Sequence, residues 1–310
     1  MGKSISETES WVLQSRKVAR GIRQRVLEHT ILNNGGYLSQ ACSSAEILAT
    51  LYTKIMNLAP SQGEPVPPRF PGVPSTTNTH YRTGAAYNGP VGPSLDRFFL
   101  SPSHYSLVLY ATLIEVERLA EESLKYFNQD GSSMEMIGAE HSPGMEMMTG
   151  SLAQALSQAT GIAFARKRRG DQGRVWVFMS DGEFQEGQTW ETLQAMSFYH
   201  LDNMGIYVDV NAQQCDGRMV DVMNIEPLAD RLTAFGAKVY KVDGHDPEAL
   251  AAPAFTKREE GRPLVVLAYT DPCMKMDILK KRAPKLHYVR FTSEQERDEY
   301  RETLKTYNNR

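Results

Sequence analysis

From Arg97 to Tyr269, short runs rich in β-branched and aromatic residues alternate with stretches of helical period, and this alternation constrains the fold more than any other feature of the chain. The short runs are Arg97–Leu100, Arg174–Ser180, Met204–Val210, Ala237–Val242 and Pro263–Tyr269. Helices are predicted between them, from His104, from Ser151, and over Gln188–Tyr199, Glu226–Phe235 and Pro247–Phe255. A strand followed by a helix and another strand returns the chain parallel to itself, so the class is α/β, a parallel sheet with helices on both faces.

The flanks read differently. Val12, Val18, Ile22, Val26 and Leu27 recur at helical spacing, predicting an amphipathic helix over Glu7–Leu32 that Asn33-Asn34-Gly35-Gly36 ends. Ser43 and Glu46 form a capping-box pattern, predicting a second helix from Ser43 to about Met56, before Ala59-Pro60. Pro60 to Pro93 is crowded with Pro, Gly, Ser, Thr and Asn, and is expected to hold little regular structure. Thr292 and Gln295 form another capping-box pattern, so a last helix is expected over residues 293–307. Arg166 to Arg169 read as a solvated helix end. Although 310 residues would allow two domains, the pattern suits one domain over 1–310, with a helical segment 1–57 and an insert 60–93.

Charge and cysteine content exclude several functions. Lys+Arg 34 against Asp+Glu 37 leaves a net charge of −3, so no basic surplus exists to draw the chain onto nucleic acid or an acidic membrane. The longest apolar stretches, such as Leu264 to Tyr269, are far shorter than the ~20 residues of a membrane span. Three scattered cysteines, Cys42, Cys215 and Cys273, make no disulfide framework, and the first residues carry no apolar signal stretch, so a reducing cytoplasm is the expected location.

In an open parallel sheet, ligands bind beyond the carboxyl ends of the strands. Two such ends are polar: Ser180-Asp181-Gly182-Glu183 and, about 30 residues on, Asp209-Val210-Asn211-Ala212-Gln213. A carboxylate at one end and an amide at the next give hard oxygen ligands to a small cation such as Mg²⁺, whose octahedron phosphate oxygens and water complete. One carboxylate suffices, because a diphosphate already outweighs the charge of the ion. Gly182 lets a backbone N–H approach a phosphate oxygen with no Cβ in the way. Asp-Gly is also ordinary turn chemistry, and it recurs at Asp130, Asp216 and Asp243. Its meaning at Asp181 comes from the strand before it and the polar strand end that follows.

These residues resemble the diphosphate-binding half of transketolases, thiamine-diphosphate enzymes whose pattern is Gly-Asp-Gly, about thirty residues, then Asn-Asn or Asp-Asn. The run Asp181 to Gly187 is similar to the transketolase run, including its glutamate at Glu186. Thr149-Gly150-Ser151-Leu152-Ala153-Gln154 resembles the Thr-Gly-Ser-Leu-Gly-Gln turn of that family. Leu95 to Ser101 with His104, and Val242-Asp243-Gly244-His245-Asp246, also match, in order along the chain from about Gly35 to His287. Ser180, Val210 and Ala153 replace usual motif residues.

The resemblance implies a thiamine diphosphate-binding fold that takes thiamine diphosphate and Mg²⁺, with Ca²⁺ or Mn²⁺ as substitutes. Asp181, Asn211 and the Gln213 carbonyl would ligate the metal, and Gly182 would touch the diphosphate, with Glu183 of the same run counted among the cofactor-binding residues. Gly150 and Leu152 would flank the aminopyrimidine. His104 and His287 match histidines near the diphosphate and the reacting carbons, Glu186 a glutamate that couples two active sites across a subunit interface, and His141 a substrate-binding histidine. Tyr37 falls where the family has His, which implies altered proton handling, since a phenol does not titrate near neutrality. His80, in the 60–93 insert, could reach the same mouth.

In transketolases a second, pyrimidine-binding domain supplies the glutamate that activates the cofactor. No stretch after His287 is long enough for it, so the resemblance implies the N-terminal subunit of a split transketolase. Such a chain would pair with a pyrimidine-domain subunit, as an α2β2 heterotetramer, and transfer a two-carbon ketol unit between sugars or sugar phosphates. The other readings are the equivalent part of a 2-oxo acid dehydrogenase E1 component and a partner subunit that has lost catalysis.

Overall fold

The computed structural model describes residues 7–79 and 81–308, so His80 lies outside the described residues. In chain order the regular elements are α1 (Glu7–Leu32), β1 (Gly35–Gly36), α2 (Leu38–Thr50), β2 (Arg97–Leu100), α3 (Ser106–Glu115), α4 (Gln154–Arg169), β3 (Val175–Ser180), α5 (Gly187–Phe198) and β4 (Met204–Val210). Then come β5 (Gln213–Gln214), β6 (Gly217–Arg218), α6 (Met219–Val222), α7 (Leu228–Ala234), β7 (Lys238–Asp243), α8 (Pro247–Phe255), β8 (Leu264–Tyr269), β9 (Val289–Arg290) and α9 (Glu294–Asn308).

Five strands form one sheet in the order β2-β3-β4-β8-β7, every pairing parallel. β3 and β4 are buried at every position, which is why they read as unbroken apolar runs rather than alternating ones. Their side chains still divide by the period of two. Trp176, Phe178 and Tyr207 join a core with residues of α1, α2 and α3, while Val177, Met179, Ile206 and Val208 face α4, α5 and α7. A sheet covered on both faces is thus what the alternation predicts.

The helix boundaries correct three expectations. α2 starts at Leu38, not Ser43, and has no side-chain cap. Ser43 instead donates to Asp209, and Glu46 pairs with Arg23, so their polarity serves contacts between elements. The Ser43–Glu46 spacing mimics a cap because both patterns need a small hydroxyl and a carboxylate one turn apart. At α9 the cap is one residue later than Thr292: Ser293 Oγ accepts from the Glu296 N–H, and Glu296 reaches back to the Thr292 N–H. Lys167, Arg168 and Arg169 are the exposed end of α4 that was expected, but Arg166 is 1% exposed, its guanidinium donating to the carbonyls of Gly92, Pro93 and Leu95.

Among the described residues, 60–79 and 81–93 form irregular chain with one 3-10 turn, Gly84–Asn88, tied down by hydrogen bonds such as Ser133 Oγ to the Pro68 carbonyl at 2.7 Å. A two-stranded ribbon, β1 against β9, joins the segment after α1 to the segment before α9, with Gly36 opposite Val289. No described helix is long and apolar enough to cross a membrane.

Candidate functional site

Three neighbouring strands end on the same edge of the sheet. His104 follows β2, Asp181 follows β3 and Asn211 follows β4. Because β3 and β4 run parallel with Ser180 opposite Asp209, the polar residues after each strand converge. They line a cavity of about 350 Å³ together with Tyr37, Gly150, Leu152, Gly182, Glu186, Gln213 and His287.

Asp181 is buried and accepts the Ala212 N–H at 2.8 Å. Burial, and then the Asp209 carboxylate beside it, raise the Asp181 carboxyl well above the usual range. A divalent cation would relieve both effects, so the acid fits a metal ligand. Asn211 donates Nδ2 to the Tyr105 hydroxyl and to Asp209 Oδ2, both at 3.1 Å, which leaves its carbonyl oxygen as the end that could ligate a cation. Gln213 lines the same cavity, and its Oε1 is buried with no hydrogen-bond partner among the described residues, the kind of orphaned oxygen that a cation satisfies. Among the described residues no group of three His, Cys, Asp or Glu is placed to hold a metal ion. The donor set of one carboxylate and amide oxygens suits Mg²⁺ or Ca²⁺ rather than zinc.

Two glycines shape the cradle. A Cβ built on Gly182 meets nothing within 4 Å, so open space lies where a side chain would project. Gly150 has φ +110°, and a Cβ there would stand 2.6 Å from Ile137 Cγ2.

Rings form the wall facing this polar end. Tyr37 lies 5.5 Å from His287, at 85°, and 5.9 Å from His104, while the two imidazoles are 4.9 Å apart. The β1–β9 ribbon brings Tyr37 and His287 together from opposite ends of the chain. Burial, with His287 adding to it, lowers the His104 pKa to about 3, and burial also lowers that of His287. Both imidazoles are therefore neutral near pH 7. Gln40 Nε2 lies 3.3 Å from His287 Nδ1, and an amide nitrogen only donates, so the His287 proton rests on Nε2. Burial, first, then Tyr288 and Cys215, raises the Tyr37 phenol, keeping it protonated.

Two expected site residues stand elsewhere. Glu183 is fully buried behind the cavity and accepts from Ser101, from the Ala153 N–H at 2.8 Å and from the Ser180 N–H at 2.9 Å. It is a strut under the cavity floor. His141 lines a separate cavity of about 290 Å³ beside the 60–93 excursion, stacked on Phe70 at 4.1 Å with Nε2 3.3 Å from Glu135. Glu186 is exposed, at the residue that caps α5, with its side chain making no cap bond.

Sequence reasoning missed the buried carboxylate Asp209 and its donors Ser43, Tyr105 and Thr270. The one available signal was an acid inside an otherwise apolar strand.

Comparison with known proteins identifies the family to which this fold belongs. A family model described as "Transketolase, thiamine diphosphate binding domain" matches residues 83–271. A transketolase family protein of Sinorhizobium fredii is 34% identical over 276 residues, 88% of this chain and 88% of the relative. The 6-deoxy-6-sulfo-D-fructose transketolase subunit of a Clostridium strain is 30% identical, with 81% of this chain and 82% of the relative aligned. An apulose-4-phosphate transketolase subunit of Actinobacillus succinogenes is 27% identical, over 88% and 89%. The solved transketolase from Leishmania mexicana superposes with a TM-score of 0.67 at 22% identity, a likeness of fold. It covers 95% of this chain, which spans 45% of that one.

Proposed function

Because the chain belongs to the transketolase family through its thiamine diphosphate-binding domain, we propose that it is the cofactor-binding, N-terminal subunit of a two-chain transketolase. In this reading residues 1–310 form one diphosphate-binding domain. A separate pyrimidine-domain subunit pairs with it as a cytoplasmic α2β2 heterotetramer, and a two-carbon ketol unit passes from a ketose to an aldose. Support for two chains comes from two relatives of similar length being named subunits.

Asp181, Asn211 and Gln213 would hold Mg²⁺, and the open face of Gly182 would admit the diphosphate. Gly150 and Leu152 would border the pyrimidine ring. When bound, thiamine diphosphate supplies the carbon nucleophile that adds to the ketose carbonyl. The chain's own rings would handle the sugar. His287 donates from Nε2, neutral His104 accepts or donates, and the Tyr37 phenol donates to a hydroxyl where a titrating imidazole is usual. Exposed Glu186 would face the partner and link the two sites.

The observation that carries the reading is the convergence of Asp181, Asn211 and the Tyr37–His104–His287 wall on one cavity at the strand ends. The test is a ketol-transfer assay of the purified chain, alone and mixed with a co-purified pyrimidine-domain subunit. Activity only in the mixture supports the proposal; steady turnover by the single chain refutes it.

A further inference from the structure

We propose that Asp209 is a positioning residue that fixes which end of the Asn211 amide faces the metal ion, an inference that rests on the cofactor reading given above. An amide ligates a hard cation through oxygen, and its NH₂ end repels one, so a half-turn of the side chain would remove the ligand. The orientation of Asn211 is set from behind. Its Nδ2 donates to Asp209 Oδ2 at 3.1 Å and to the Tyr105 hydroxyl at 3.1 Å. Tyr105 spends its own hydrogen on the same Oδ2 at 2.7 Å, so it too can only accept from Asn211. A carboxylate and a committed hydroxyl both reject the carbonyl end. That end is left toward the cavity, where it accepts the Gln213 N–H at 2.9 Å.

Asp209 is itself clamped. Ser43 Oγ donates to Oδ2 at 2.5 Å and Thr270 Oγ1 to Oδ1 at 2.5 Å. With Tyr105, these donors come from α2, from the turn before α3 and from the end of β8, so three separate elements hold one buried carboxylate. Asp209 does not line the cavity, and its hydrogen bond into the site runs to Asn211. Such outer partners set metal affinity by about 10–100-fold where they orient a ligand.

The experiment titrates Mn²⁺ into the full chain in the presence of thiamine diphosphate, reading free Mn²⁺ by electron paramagnetic resonance, with thermal unfolding of each variant measured alongside. Asp209→Asn and the uncharged change Tyr105→Phe are expected to weaken Mn²⁺ binding about tenfold or more. Thr270→Val, which removes a donor from Asp209 but none of the bonds to Asn211, is expected to lower the thermal midpoint yet keep Mn²⁺ affinity within about twofold. Should Asp209→Asn fail to fold, Tyr105→Phe decides the matter. Wild-type affinity in Tyr105→Phe, or an equal loss in Thr270→Val, overturns the inference while leaving the cofactor reading intact. Absence of Mn²⁺ binding with thiamine diphosphate by the wild-type chain, both alone and mixed with its pyrimidine-domain partner, overturns both.

Discussion

Glu183 Oε1 accepts the Ala153 N–H at 2.8 Å and so holds Ala153, a residue at φ +68°, against the floor of the cavity. Since Ala153 follows Leu152, this bond fixes one cavity wall to the turn that carries Asp181. All partners of the Glu183 carboxylate are donors: Ser101 Oγ, Ser180 Oγ and the N–H groups of Ala153 and Ser180. Glu183→Gln would turn an NH₂ group toward one of them, leaving a buried donor unsatisfied. The expected cost is about 1–3 kcal/mol, seen as a lower urea midpoint at unchanged slope. Unchanged stability would show that the strut is dispensable.

Burial raises both carboxyls, Glu183 to about 7, but Asp181 also has a second acid, Asp209, beside it. Its carboxyl is raised by burial and by Asp209, so its charge opposes folding of the ligand-free chain at neutral pH. Asp181→Asn keeps an oxygen for the Ala212 N–H and removes the charge. The ligand-free variant should gain about 0.5–2 kcal/mol and lose the thermal upshift that thiamine diphosphate with Mg²⁺ gives the wild type. A variant that keeps the upshift would remove Asp181 from the metal site.

Two groups give separate acid windows. Burial alone lowers His29 from 6.5 to about 4, so the unfolded chain takes up a proton that the folded chain refuses, and stability falls as pH drops from 6.5 toward 4. Burial would raise Glu46, but Arg23 and His245 overcome it and bring its pKa to about 2. The stability Glu46 contributes is complete above 4.5 and is lost as pH falls through about 2. The two shifts are of equal size and each amounts to about 3 kcal/mol. Urea titrations between pH 2 and 7 should lose the upper slope in His29→Gln and the lower slope in Glu46→Gln. Parallel pH curves for all three proteins would contradict the assignment.

Tyr37 offers one hydroxyl to the cavity where both neighbouring imidazoles are neutral. In the reconstituted two-chain enzyme, Tyr37→Phe should lower kcat/KM about three- to tenfold, the worth of a single neutral hydrogen bond. The variant should leave the affinity for thiamine diphosphate unchanged. A fall in cofactor affinity with normal sugar kinetics would move Tyr37 to the cofactor.

The sheet was legible because strands buried on both faces are written as continuous apolar runs; β4 and α8 stand at their expected boundaries. Asp181, Gly182 and Asn211 were legible because strand ends carry the polar exceptions in such a pattern. The Asp209 network was not, since Tyr105 reaches it across 104 positions and nothing in local spacing encodes that meeting. Ser43 was misread for the same reason: a hydroxyl that serves a distant carboxylate looks, in sequence, like a cap. His141 illustrates the limit of motif transfer. Phe70, from the irregular excursion, captures its ring in a different cavity, and no periodic signal places that excursion.

The β1–β9 ribbon also orders the events of synthesis. Tyr37 leaves the ribosome long before His287, and the ribbon cannot close until β9 has been made. A nascent chain halted short of Val289 can pair its five parallel strands, yet the rings opposite the polar strand ends are unassembled. Closure of the ring wall is therefore gained late, after the scaffold that presents it, and a product truncated before His287 would keep the sheet while lacking one ring of the cavity.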